Sequence, residues 1–208
     1  MKKISKLQFI TNAKDCEAIC SQVNEAIEAG VDWVQFRMKD TSYKERLSVA
    51  QKVKEICSES NVSFIINDDV ILTKEIQADG VHLGLDDMNP LKAREILGDN
   101  VIIGATCNTF SHIQERHKQC VDYIGLGPLR FTTTKKNLSP LLGLDGYNTI
   151  LQEMKKNNIE IPIIAIGGIQ EDDIADIANT DIYGIALSSL ITSSDNKKNI
   201  INQIHNAI

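Results

Sequence analysis

The chain has 208 residues, of which 42% are hydrophobic and 24% charged, and its formal net charge is −6. An acidic chain attracts neither nucleic acid nor an anionic membrane surface, so no partner of either kind is expected. It has no run of about 18 apolar residues to span a bilayer, and a domain of this size buries roughly 70% of its unfolded surface without needing a disulfide or a structural metal.

The start, Met1-Lys2-Lys3-Ile4, is positive, but Lys6, Gln8 and Asn12 interrupt any apolar core after it, so no signal peptide is expected. Leu7–Ile10 reads as a first strand. Ile19, Val23, Ala26 and Ile27 then recur at helical spacing. Trp33–Arg37 is the second strand, followed by a helical pattern of Leu47, Ala50, Val53, Lys54 and Cys57. Ser63–Asn67 and Gly80–Leu83 are the next two strands. Pro90 suits a helix start, with Asn89 as its cap, before Leu91–Leu97. Val101–Ala105, Tyr123–Leu126, Ile163–Ile166 and Tyr183–Leu187 complete eight strands, and a last helix runs from about Lys197 to Ala207.

Runs such as Phe64-Ile65-Ile66 and Ile163-Ile164-Ala165-Ile166 are apolar throughout, as strands buried on both faces are. Eight β–α units of about 26 residues each predict an α/β fold, a single (β/α)8 TIM barrel over residues 1–208. A doubly wound open sheet is the alternative, but no GxGxxG follows the first strand. Arg130–Asp145 is the longest irregular stretch and reads as a loop, not a domain boundary. The five cysteines, Cys16, Cys20, Cys57, Cys107 and Cys120, include no CxxC pair. They are expected to be reduced, mostly buried thiols of a cytoplasmic protein.

In a parallel barrel the active site forms where strands end and βα loops begin. The second strand ends Gln35-Phe36-Arg37-Met38-Lys39, and alternation puts Gln35, Arg37 and Lys39 on one side, suited to an anionic substrate with a polar ring. The third ends Asn67-Asp68-Asp69, and the fourth leads to Asp86-Asp87. Carboxylates from neighbouring strand ends could hold Mg²⁺, a hard ion that favours oxygen ligands and substrate phosphates. The sixth leads through Gly125-Leu126-Gly127-Pro128 to Thr132, Thr133, Thr134, Lys135 and Lys136, which offer donors to phosphate oxygens. The seventh ends Gly167-Gly168 and the eighth Ser188-Ser189, a second anion site. His112 and His117 lack metal spacing, and His82 is expected to make a structural hydrogen bond. No nucleophile elbow occurs.

The ordered set Val34–Lys39, Ile66–Asp69, Gly80–Asp87, Gly125–Lys136, Ala165–Ile169 and Ser188-Ser189 resembles the thiamine phosphate synthase family over nearly the whole chain. The resemblance implies a transferase that joins a hydroxymethylpyrimidine diphosphate to a thiazole phosphate by Mg²⁺-assisted, dissociative loss of pyrophosphate. It implies that Gln35, Phe36, Arg37, Met38 and Lys39 line the pyrimidine diphosphate site, with Asn67 on the diphosphate. Asp68 and Asp87 would bind Mg²⁺, and Thr106 would stand near the pyrimidine where the family usually has a serine. Thr132, Thr133, Thr134, Gly168, Ser188 and Ser189 would meet the thiazole phosphate, and Lys135 the diphosphate. Arg37, Lys39 and Lys135 would carry catalysis by stabilising the leaving group. Two departures from the family's pattern are Leu85, in place of a common glutamine, and Cys107-Asn108, in place of a small residue and a histidine. The alternatives are a thiazole tautomerase-like paralogue and a non-catalytic barrel that binds a thiamine-pathway phosphate. The expected partners are small molecules, with a homo-oligomer possible.

Overall fold

A computed structural model describes residues 4–131 and 140–208. Eight parallel strands close into a barrel in chain order, with β1 and β8 completing the ring. They are β1 (Leu7–Ile10), β2 (Trp33–Phe36), β3 (Ser63–Asn67), β4 (Gly80–Leu83), β5 (Ile102–Cys107), β6 (Tyr123–Leu126), β7 (Ile163–Ile166) and β8 (Gly184–Leu187). Outside them lie α1 (Cys16–Glu28), α2 (Tyr43–Glu59), α3 (Val70–Ile76), α4 (Pro90–Leu97), α5 (Phe110–Lys118), α6 (Gly143–Lys156), α7 (Asp173–Ala178), α8 (Ser189–Thr192) and α9 (Lys197–Ala207). The expected (β/α)8 barrel is therefore the fold. Three strands differ in their limits: β2 stops at Phe36, β8 starts at Gly184, and β5 is shifted to run from Ile102 to Cys107.

The continuous apolar strands separate into two cores because successive side chains point to opposite faces. Trp33, Ile65, Ile102, Tyr123, Ile164 and Ala186 pack together inside the barrel. Val34, Phe36, Phe64, Ile66, Val81, Leu83, Ala105, Ile124 and Ala165 face outward and pack with helix residues such as Ile19, Val53 and Ile201. Several helices are fixed at their starts by side-chain caps. Asp15 accepts from the Ala18 N–H, Ser42 from Glu45, Asn89 from Leu91 and Thr109 from His112, each satisfying an otherwise unpaired first-turn donor. The Asn89 cap and Pro90 start are as expected.

All five cysteines are free thiols; Cys57 and Cys107 are buried, Cys16 and Cys20 half-buried, and Cys120 exposed. Burial pushes the Cys57 and Cys107 thiols up to about 12, so neither is a thiolate near neutrality. Among the described residues no helix is long and apolar enough to cross a membrane.

Candidate active site

The carboxyl-terminal ends of β1 to β4 bring opposite charges together. Thr11, fully buried just beyond β1, accepts the Arg37 N–H at 2.8 Å and donates its hydroxyl to the Arg37 carbonyl at 3.0 Å. These bonds hold the main chain at the point where the guanidinium departs. Burial pulls the pKa of Arg37 below the ordinary arginine value, and nearby Asp68 and Asp40 oppose that shift. An arginine so perturbed still carries its charge. Lys39 lies beyond β2, with its Nζ 2.8 Å from Asp68 Oδ2.

Asp68 sits past the end of β3 in a left-handed conformation, φ 69°, and its N–H donates to the His82 carbonyl at 2.8 Å. Its carboxyl lies beside that of Asp87, which arrives from the loop after β4, close enough that each shifts the other's pKa. The Gly84 N–H donates to Asp87 Oδ2 at 2.6 Å, and a Cβ on Gly84 would lie 2.8 Å from that oxygen. Glycine is thus what lets this loop fold onto its own carboxylate. Burial first, and then Asp68, push the Asp87 carboxyl up to about 6. Burial also acts to raise Asp68, but its contacts with Asp87 and Lys39 outweigh this and leave it below the usual aspartate value. Two carboxyls pressed together cannot both ionise at their ordinary pKa values. The neighbouring Asp69 does other work: it caps α3 at the Leu72 N–H and accepts from Arg46 Nη2 at 3.0 Å. Among the described residues there is no group of three or more His, Cys, Asp or Glu placed to hold a metal; Asp68 and Asp87 stand as a pair.

Gln35 and Thr106 face into the barrel below this rim, and both are buried. They belong to a chain of polar side chains that crosses the interior. Gln35 Nε2 donates to Gln8 Oε1 at 2.8 Å, and Gln8 Nε2 to the Tyr123 hydroxyl at 3.3 Å. The Tyr123 hydroxyl lies 2.9 Å from His82 Nδ1, and His82 Nε2 lies 3.0 Å from Thr106 Oγ1. His82 thus makes the structural hydrogen bonds expected of it. Asn67 ends β3 opposite His82 in the strand register and is half-buried. The side chains of Phe36 and Met38 turn the other way, into the strand–helix core. Alternation along β2 sends them there, so at these two positions the rim meets main chain.

A second group forms after β6, β7 and β8. Gly167 and Gly168 have φ of 94° and 70°, and a Cβ on Gly168 would approach the Phe131 and Arg130 carbonyls at 2.7 and 2.8 Å. The glycine pair therefore lets the loop after β7 lie against the chain leaving β6. That approach is reinforced by Arg130, which grips Asp173 through Nε at 3.0 and 3.1 Å and Nη2 at 2.7 Å. The Arg130 contact holds the Asp173 carboxyl below the usual range. Tyr147 of α6 donates its phenol to the Leu126 carbonyl at 2.8 Å and accepts the Ile166 N–H at 3.3 Å, pinning the ends of β6 and β7 together. The Ser188 hydroxyl is buried with no partner among the described residues, while Ser189 is exposed beside it. A buried hydroxyl of this kind awaits a hydrogen-bonding ligand or water. Thr132, Thr133, Thr134 and Lys135 lie outside the described residues.

Sequence reasoning did not anticipate Gln8, Thr11, Tyr123, Tyr147 or the Arg130–Asp173 pair. Gln8 carried a usable signal, since a carboxamide in the middle of the apolar run Leu7–Ile10 must find a buried partner. Arg130 and Asp173 are 43 residues apart, and no local pattern joins them.

A closed parallel barrel whose rim gathers cations and carboxylates on one side and a buried hydroxyl beside paired glycines on the other is the framework of a barrel enzyme for anionic small molecules. The family model for thiamine monophosphate synthase matches residues 7–191. A thiamine-phosphate synthase of Flavobacterium psychrophilum is 50% identical over 201 residues, covering 97% of this chain and 98% of its own. One of Phocaeicola vulgatus is 49% identical, with 91% of each chain covered. Among solved structures, a thiamine phosphate pyrophosphorylase from Pyrococcus furiosus superimposes with a TM-score of 0.81 at 28% identity, covering 97% of this chain and 94% of that one. The chain belongs to the thiamine-phosphate synthase family. A 3-hexulose-6-phosphate synthase, at a TM-score of 0.71 and 15% identity, shares the fold.

Proposed function

We propose that this chain is a thiamine-phosphate synthase that uses the barrel rim to join a hydroxymethylpyrimidine diphosphate to a thiazole phosphate, releasing pyrophosphate. Family membership supports the activity. The observation that carries the substrate reading is the meeting of Lys39, Asp68 and Asp87 from three successive strand ends, with 2.8 Å between the first two and the two carboxyls near enough to shift each other's pKa.

The donor set fits Mg²⁺. Asp68 and Asp87 are hard oxygen donors held side by side, and the upward push on Asp87 reflects in part a like-charge contact that a divalent cation would relieve. The two carboxylates would hold the ion together with phosphate oxygens and water, as Mg²⁺ sites commonly do. When bound there, Mg²⁺ would supply positive charge to the diphosphate.

Arg37 and Lys39 bind diphosphate oxygens and offset the charge that gathers on them as the C–O bond breaks. Asn67 contacts the diphosphate, and Gln35 and Thr106 orient the pyrimidine, with the main chain of Phe36 and Met38 alongside. The electron pair of the broken bond leaves with pyrophosphate. The amino-substituted ring delocalises the positive charge left on its methylene carbon. The thiazole nitrogen then supplies the pair that forms the new C–N bond. Gly168, Ser188 and Ser189, with Thr132, Thr133 and Thr134, hold the thiazole phosphate in position for that attack, and Lys135 assists at the diphosphate. No protein nucleophile takes part; the residues supply orientation and electrostatic stabilisation. Free thiols throughout support a cytoplasmic location.

The test is incubation of the purified protein with both substrates and Mg²⁺, followed by mass detection of thiamine phosphate and assay of pyrophosphate. Both products should appear together, require both substrates, and disappear on chelation. Absence of thiamine phosphate under these conditions would overturn the reading.

A further inference from the structure

The buried polar chain through the barrel has a direction, and that direction determines what its two ends offer to a ligand. Gln8 Nε2 is a donor, so the Tyr123 oxygen accepts from it. The phenol then has one proton to give, and the atom within reach at 2.9 Å is His82 Nδ1. A neutral imidazole that accepts at Nδ1 carries its proton on Nε2, which therefore donates to Thr106 Oγ1 at 3.0 Å. Thr106, having accepted, keeps its own hydroxyl hydrogen to donate elsewhere. At the opposite end, Gln35 turns its nitrogen toward Gln8 and spends one N–H there, which leaves its carboxamide oxygen facing away as an acceptor, with one N–H remaining beside it.

We propose that Tyr123, with Gln8 and His82, is a positioning device that commits Thr106 to donate toward the pyrimidine substrate and turns the Gln35 carboxamide oxygen toward it as an acceptor. This rests on the placement of Gln35 and Thr106 at the pyrimidine under the proposed function. A committed hydroxyl hydrogen and a carboxamide oxygen match the acceptor ring nitrogens and donor amino group of an aminopyrimidine. Reversing every bond in the chain would present the opposite pattern, so the relay acts on specificity without touching substrate.

The barrel is shaped around this chain. Tyr123 is fully buried, and burial pushes its phenol upward, which keeps the proton that the relay needs. A Cβ on Gly104 would lie 2.1 Å from the Tyr123 ring, and one on Gly125 would lie 2.9 Å from the His82 ring. The Trp33 ring meets Tyr123 edge-on with centroids 4.9 Å apart, which holds the ring in place when the hydroxyl is removed.

The experiment has two parts. In the full-length, substrate-free protein, ¹⁵N-detected NMR should find His82 as the Nε2–H tautomer; an Nδ1–H tautomer would overturn the assigned direction. In steady-state assays, Tyr123→Phe should raise KM for the pyrimidine diphosphate about tenfold, the scale of one misdirected buried hydrogen bond, and leave KM for the thiazole phosphate unchanged. Gln8→Met, which also cuts the chain, serves as a second variant should Tyr123→Phe fail to fold. Thr106→Val should raise the same KM, Thr106→Ser should keep it low, and Tyr123→Phe should add little on top of Thr106→Val. If Thr106→Val and Gln35→Ala leave that KM unmoved, the pyrimidine placement fails and the relay's role falls with it. If they move it and both Tyr123→Phe and Gln8→Met do not, the relay alone is wrong.

Discussion

Two tyrosines make the same hydrogen bond in different surroundings, and Tyr→Phe at each measures what burial adds. The Tyr147 phenol is fully buried and bridges the Leu126 carbonyl at 2.8 Å and the Ile166 N–H at 3.3 Å. The Tyr183 phenol, on a residue 37% exposed, donates to the Ile4 carbonyl at 2.7 Å. Tyr147→Phe leaves the ring in its packing and strips a donor from the buried Leu126 carbonyl and an acceptor from the half-buried Ile166 N–H. A lost neutral bond with its buried partners left behind costs about 1.5 kcal/mol, which for a domain of this size lowers Tm by about 3–6 °C. Water replaces the lost partner at Ile4, so Tyr183→Phe should change Tm by about 1 °C or less. Thermal denaturation of both variants beside the wild type is the assay. Because Tyr147 ties β6 to β7 just before Gly168, Tyr147→Phe should also raise KM for the thiazole phosphate more than KM for the pyrimidine diphosphate. Equal losses in the two variants would refute the assignment of Tyr147 as a buried pin.

Other perturbations separate the two ends of the site. Asp87→Asn keeps an oxygen for the Gly84 N–H but removes a carboxylate from the pair; turnover at limiting Mg²⁺ should fall on the order of 10²-fold and recover in part as Mg²⁺ is raised, and an unchanged Mg²⁺ titration would contradict the metal reading. Ser188→Ala removes a buried hydroxyl with no protein partner among the described residues, so it should leave Tm nearly unchanged yet raise KM for the thiazole phosphate roughly tenfold, the scale of one bond to an anion; a fall in Tm with KM unmoved would make that hydroxyl structural. The Arg130 contact lowers the Asp173 pKa, so its stabilisation is present above the unfolded aspartate pKa of about 3.9 and is lost as pH falls through the folded value. Asp173→Asn should therefore be less stable than wild type at pH 7, with the difference in Tm shrinking as pH drops below about 4; a constant difference would show that the charge of Asp173 is not what counts.

The strands were legible because a strand covered on both faces is written as an uninterrupted apolar run. The same property hides which residues face inward, since a run such as Ile163-Ile164-Ala165-Ile166 has no alternation to read. Only the register of the closed barrel assigns Ile164 to the interior and Ile163 and Ala165 to the helices. The end of β5 is hidden in the sequence for a related reason. Thr106 and Cys107 continue to pair with Gly125 and Leu126, and neither residue type marks a strand as clearly as the isoleucines before it. That extension is what turns Thr106 inward to meet His82.

A motif of consecutive residues carries the same ambiguity into the site. The resemblance makes Gln35 through Lys39 one substrate-lining segment, yet a strand presents every second side chain to one face. Gln35 enters the barrel, Arg37 reaches the rim, and Lys39, past the strand, meets Asp68, while Phe36 and Met38 are held in the outer core. The motif therefore encodes two requirements at once, a polar face toward ligand and an apolar face toward the helices. Substitutions should divide along that line. Gln35→Ala should weaken pyrimidine binding and, by leaving the buried Gln8 oxygen without its donor, cost about 1–3 kcal/mol of stability. Phe36→Ala should cost about 3–5 kcal/mol of stability through the cavity it leaves, with KM near normal in whatever protein remains folded. A Phe36→Ala protein that is stable but has lost affinity for the pyrimidine diphosphate would mean that the side chain, not the main chain, serves the substrate there.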